Sequence, residues 1–197
     1  PFRWCCHALV WAIARYDEAC QAGNPCACAE HGFALAMGEG GITPEVERGD
    51  QLLARGCEGG DMHGCYLHGE VVFRLLGHAE RGRDALAVGC EGDDPDACFA
   101  LGRMAMSGIG GSEDATLAAS SYQTACEAGH VLACAALGEA HVAGLGVEVD
   151  EARARELLSW ACESGSAPVT CRQLALVFPG EEGAAALFDA HPEARDP

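Results

Sequence analysis

The chain has 197 residues and a net charge of −18, from 30 acidic and 12 basic side chains, and every base is an arginine. With 49% apolar residues and a mean hydropathy of +0.05, it can build a core and is not disordered by composition. The acidic balance argues against nucleic acid and anionic lipid as partners, and no run of about 18 apolar residues is available to insert into a membrane.

The first residues, "PFRWCCHALV", lack a methionine and a signal-peptide pattern, so we read the chain as processed or trimmed, with a signal peptide presumed removed. A helix is expected over residues 4–20, ending on Cys20. From there one frame recurs: "CQAGNPCAC", "CEGGDMHGC", "CEGDDPDAC", "CEAGHVLAC" and the slightly longer "CESGSAPVTC". The first cysteines, Cys20, Cys57, Cys90, Cys126 and Cys162, are 37, 33, 36 and 36 residues apart, a period that marks a solenoid.

Each period reads as two helices. The first follows the second cysteine and runs into a glycine loop, "GEGG" at 38, "GIGG" at 108 or "GLGV" at 144. A cap signal opens the second helix. Thr43 is expected as N-cap with Pro44 at N1, and Asp150 as the cap in the last full period. In "DEARARELLSWAC" the apolar positions Ala152, Leu157, Trp160 and Ala161 are expected on one face. Period-two strand patterns are missing, so the fold class is all-α, a stack of helical hairpins.

Within each frame a glycine is expected as C-cap of the incoming helix, at Gly23, Gly60, Gly129 and Gly165, with Gly92 one place earlier in the third. The two cysteines then fall at the same end of two antiparallel helices. The simplest reading is a disulfide staple per corner: Cys20–Cys28, Cys57–Cys65, Cys90–Cys98, Cys126–Cys134 and Cys162–Cys171. Reduced cysteines acting as small apolar residues, and metal sites, are the alternatives, although this spacing is not a usual zinc pattern.

These residues resemble the Sel1-like repeat, a relative of the tetratricopeptide repeat. "LGEAHVAGLGVEVDEARARELLSWACESG" from 137 and "LGRMAMSGIGGSEDATLAASSYQTACEAG" from 101 carry the likeness. It weakens in the first two periods, where His31 and His68 replace the usual leucine and residues 65–90 lack the glycine loop. The paired cysteines add a likeness to secreted cysteine-rich bacterial members. The resemblance implies a single right-handed α/α superhelix over 1–197, with repeats at about 20–56, 57–89, 90–125 and 126–161, then a partial repeat and C-terminal cap over 162–197. It also implies an extracytoplasmic scaffold that takes a protein or peptide on its concave face, without a cofactor. Arg74, Arg103, Met106, Glu139 and Val142 are the expected contact residues.

Cys5, Cys6 and Cys26 lie outside the periodic pairs and are expected as thiols or intermolecular crosslinks, which would allow disulfide-linked self-association. Cys26, Cys28 and His31 form a local donor set that could bind a soft metal, the basis of an alternative metal-handling function. His31, His68 and His141 read more simply as hydrogen-bonded inner histidines. Some cysteine-rich relatives carry a β-lactamase label. The lysine motifs of that chemistry cannot occur here, and Ser120, Ser121, Ser159 and Ser164 sit in no nucleophile signature, so an enzyme is not expected.

Overall fold

The computed structural model describes residues 9–164, 171, 174 and 176–178. Among these the chain forms helices α1 (Leu9–Gln21), α2 (Pro25–Met37), α3 (Val46–Glu58), α4 (Met62–Arg74), α5 (Ala79–Glu91), α6 (Pro95–Met106), α7 (Ala115–Glu127), α8 (Val131–Ala143) and α9 (Glu151–Glu163), with a 3₁₀ turn at Glu39–Gly41. The expected start of the first helix at 4–8, Cys5 and Cys6, Gly165 and the terminal cap over 179–197 lie outside the described residues. Two compact units emerge, one of residues 1–101 with 109–112, the other of 102–108 with 113–197. Each is built of helical hairpins, α2–α3 and α4–α5 in the first and α8–α9 in the second.

Corner geometry follows from local chemistry. A helix runs out through its cysteine, two more residues follow, the third turns left-handed, and a capping residue precedes the following helix. The left-handed residue is Gly23 (φ 91°), Gly60 (φ 95°) or Gly129 (φ 89°). In the third corner it is Asp93 (φ 61°), while Gly92 is the C-cap of α5, as expected, at φ −94°. Aspartate tolerates this region better than most residues. The caps are side-chain acceptors: Asn24 to Ala27 N at 3.1 Å, Asp94 to Ala97 N at 2.8 Å, and His130 Nδ1 to Ala133 N at 3.1 Å.

Second helices start the same way from Asp114 and Asp150, each accepting from the amide three residues on at 2.9 Å. The expected Thr43 cap does not form. Pro44 stays outside the helix, α3 begins at Val46, and Glu45 precedes it without a side-chain cap. The chain is instead held by Glu45 N donating to Leu35 O at 2.9 Å, a return bond repeated as Asp114 N to Ala105 O at 2.9 Å. Backbone pairing with the first helix thus decides where the second one starts.

Small residues set how closely the two helices of a hairpin approach. Gly32 in α2 faces Gly49 and Leu53 in α3; a Cβ on Gly32 would stand 2.8 Å from both Gly49 O and Leu53 N. Gly69 against α5, Gly102 against Tyr122 of α7, and Gly138 against Leu158 of α9 repeat the contact. The core is correspondingly slim: alanines, the bridged cysteines, and a few larger side chains such as Leu53, Val72, Leu86 and Leu158.

In α9 the buried stripe is Ala154, Leu157, Leu158 and Ala161. These are i, i+3, i+4 and i+7, one face of a helix. Ala152 and Trp160, expected on that face, are exposed because both fall off the stripe.

Candidate interaction surface

All five periodic cysteine pairs are bridged: Cys20–Cys28, Cys57–Cys65, Cys90–Cys98, Cys126–Cys134 and Cys162–Cys171. With Cys28 bonded to Cys20, the donor set Cys26, Cys28 and His31 cannot hold a metal, since a bridged sulfur is no thiolate ligand. Cys26 is exposed and outside the bridges.

Counting from the second cysteine of each corner puts equivalent residues in register. Two before it stand Cys26, His63, Asp96 and Leu132; five after it stand Phe33, Glu70, Arg103 and Glu139. Cysteine, alanine and glycine recur at the packing positions, whereas these positions change in size and charge, from Phe33, which packs on the cluster of Ala29, Leu53 and Val71, to the exposed Arg103 and Glu139.

In the first unit the outward positions form a polar cluster. His63 Nδ1 lies 3.3 Å from Asp94 Oδ2 and 3.9 Å from Asp96 Oδ2, and the ring packs on Tyr66 with centroids 5.4 Å apart. The hydrogen bond to Asp94 pushes the His63 pKa up against the opposing effect of burial, and the charges of Asp94, Asp96 and Asp61 add to it. His63, Asp94 and Asp96 are also the group, among the described residues, whose donor atoms lie within 4.8 Å of one another, as a metal ion would require. Asp94 is already committed twice, to the α6 amide and to His63. The sequence held a signal for this cluster, because His63 and Asp96 share a register one period apart, but only stacking brings them together.

The His63 ion pair implies a pH dependence of defined sign. A histidine with a raised folded-state pKa stabilises fully below its unfolded value of about 6.5 and loses that contribution as pH rises through the folded value. His63→Ala is therefore expected to cost more stability at acidic than at alkaline pH. The difference should stay below about 1 kcal/mol because the ring is half-exposed and screened. Urea denaturation of both proteins on either side of neutrality measures it; an equal cost at both would overturn the assignment.

His31 and His68 diverge. His68 Nε2 bonds Asp50 Oδ1 at 2.8 Å, and Asp50 also accepts from Arg81 Nη2 at 3.2 Å, linking α3, α4 and α5. His31 is buried, and its Nδ1 lies 3.4 Å from Asp17 Oδ1 without the alignment of a hydrogen bond, contrary to the expectation for inner histidines. Desolvation lowers the His31 pKa; Asp17 opposes this only partly, being itself well exposed. His141 Nδ1 meets Glu148 O at 3.1 Å, a loop contact rather than a site.

The expected contact residues separate into two groups. Arg103 and Glu139 are exposed and both act on the buried Tyr122 phenol: burial raises its pKa, Arg103 lowers it and Glu139 raises it. Arg74 is exposed and paired with Glu70 on its own helix, and Met106 is half-buried. Val142 is half-buried and packs on the cluster of Ala154, Leu158, Leu174 and Phe178. Among the serines, Ser120 and Ser164 donate to carbonyls of their own helices at 3.0 and 2.8 Å, and Ser121 is buried.

This register of bridged corners, paired glycines and return bonds coincides with a known family model, the Sel1 repeat, which matches residues 95–130 and 131–166. Residues 95–166 carry two Sel1 repeats. Solved structures agree at the level of the fold. A Sel1 repeat protein from Oxalobacter formigenes is 20% identical with a TM-score of 0.82, covering 95% of this chain and 80% of that one. A protective antigen of uropathogenic Escherichia coli with the same repeat fold is 22% identical with a TM-score of 0.77, over 93% of this chain. This chain covers only 42% of that antigen's length. Cysteine-rich protein B of Helicobacter pylori is 25% identical with a TM-score of 0.51, over 75% of this chain and 99% of its own. A search of curated proteins returned no match. The hairpins of this chain are thus all-α and disulfide-stapled, and among the described residues no helix is long and apolar enough to cross a membrane.

Proposed function

We propose that this protein is an extracytoplasmic scaffold that binds a protein or peptide segment along the first helices of its hairpins. The observation that carries this reading is the contrast within the register: packing positions repeat, while Arg103 and Glu139 present opposite charges at one position of successive first helices. Side chains released from packing duty on a rigid scaffold are free to differ, which is how repeat proteins acquire specificity. The five disulfides support an oxidising compartment, since such bonds persist where thiols are not kept reduced. Binding is the whole of the proposed activity, without a cofactor or a chemical step.

The test is selection from a displayed random-peptide library on the oxidised protein, followed by calorimetry of the selected peptides. Arg103→Ala and Glu139→Ala are each expected to weaken binding by about tenfold, the effect of losing a central contact residue. Selected peptides whose affinity is unchanged in both variants, or a library that yields no binder, would reject this surface.

A further inference from the structure

One corner of the fold closes itself with an arginine. Arg55 leaves α3 two residues before Cys57, and its Nη2 donates to Cys20 O at 3.0 Å. The same carbonyl accepts from Gly23 N at 3.0 Å, so its two lone pairs are both used. The guanidinium therefore caps the C-terminal end of α1 at Cys20, where the helix dipole favours a cation.

The residue in that register of α9, two before Cys162, is Trp160. Its side chain is 44% exposed and borders an open cavity of about 300 Å³ lined by Cys126, Cys134, Arg153, Glu156, Leu157 and Trp160. Cys126 O accepts from Gly129 N at 2.9 Å, as Cys20 O does from Gly23 N. The cavity thus combines the carbonyl end of α7, the Cys126–Cys134 bridge, an indole face and a carboxylate. Glu156 is paired with the half-exposed Arg153 three residues away, at 3.1 Å, an exposed pair that is cheaply exchanged.

We propose that this slot binds an arginine side chain presented by a partner chain, which takes the place that Arg55 holds in the first corner. A planar guanidinium can stack on the indole while donating in a fork to Cys126 O and Glu156; a lysine ammonium lacks both the plane and the fork. The surrounding charge of −18 favours approach of a cation. The slot lies on a corner and a second helix, so the proposal stands apart from the first-helix surface and does not depend on it.

The experiment is an NMR titration of the isotope-labelled, oxidised protein with N-acetyl-Gly-Arg-Gly-amide and with its lysine counterpart. The arginine peptide is expected to shift the Trp160 indole and the Cys126 and Gly129 amides saturably, at millimolar order for so small a ligand. It should bind at least about fivefold more tightly than the lysine peptide. Glu156→Gln should weaken binding several-fold. Trp160→Arg, which installs the residue found in the first corner, should abolish it while the α8 amides keep their positions. No saturable shift, equal affinity for arginine and lysine, or unchanged affinity in Trp160→Arg would overturn the proposal.

Discussion

Reducing the disulfides is expected to unfold the protein in the absence of any denaturant. The paired cysteines are 8 residues apart in four corners and 9 in the fifth. Closing so short a loop stabilises by about 2.5 kcal/mol in the chain-entropy account, so the set contributes on the order of 12 kcal/mol. That matches the whole stability of an ordinary domain, about 5–15 kcal/mol. The core offers little to replace it, because most of its buried side chains are alanine or cysteine and its largest fully buried ones are a few leucines. Helical circular dichroism during urea titration, with and without a phosphine reductant, measures the effect. A reduced protein that keeps a cooperative transition within about 1 kcal/mol of the oxidised one would show the bridges to be incidental. A single corner, Cys126→Ala with Cys134→Ala, should cost about 2–3 kcal/mol, felt also by the neighbouring hairpin, since each repeat buries its face on the next.

The second large effect has the opposite sign from what helix propensity predicts. Gly32→Ala lies inside α2, where alanine is normally better than glycine by up to about 1 kcal/mol. Here the new methyl would meet Gly49 O and Leu53 N at 2.8 Å and Leu53 Cγ at 2.9 Å. Two of those three atoms are backbone and cannot rotate away, so α2 and α3 must separate. Overpacking of this kind costs about 1–3 kcal/mol or more, which outweighs propensity and leaves a net loss near 2 kcal/mol. Urea denaturation of the variant decides it. A more stable Gly32→Ala protein would mean that the hairpin relaxes freely and that the glycine pair does not set its spacing.

Much of the fold was legible because its signals are local and periodic. A cysteine in the last turn, a turn residue, a cap and a second cysteine are set by short-range chemistry, and repetition made the frame visible. The misreadings arose where tertiary contacts compete with local ones. Thr43 has the chemistry of a cap, yet the bond from Glu45 N to Leu35 O starts α3 later. Gly92 caps α5 as expected, but the left-handed turn falls on Asp93, at the same distance from the cysteine as in the other corners. Trp160 looked like core by composition and is exposed by helical phase.

By itself the sequence determined the helical hairpin, its period and which cysteines meet, because each depends on residues within a few turns of one another. Only the tertiary structure decided what the outward side chains do. Stacking set His63 against Asp94 and Asp96, joined His68 to Asp50 and Arg81, and left an open slot beside Trp160 where Arg55 closes the equivalent corner. Those arrangements join residues from half a period to a full period apart, and their geometry depends on inter-repeat packing that no local pattern encodes.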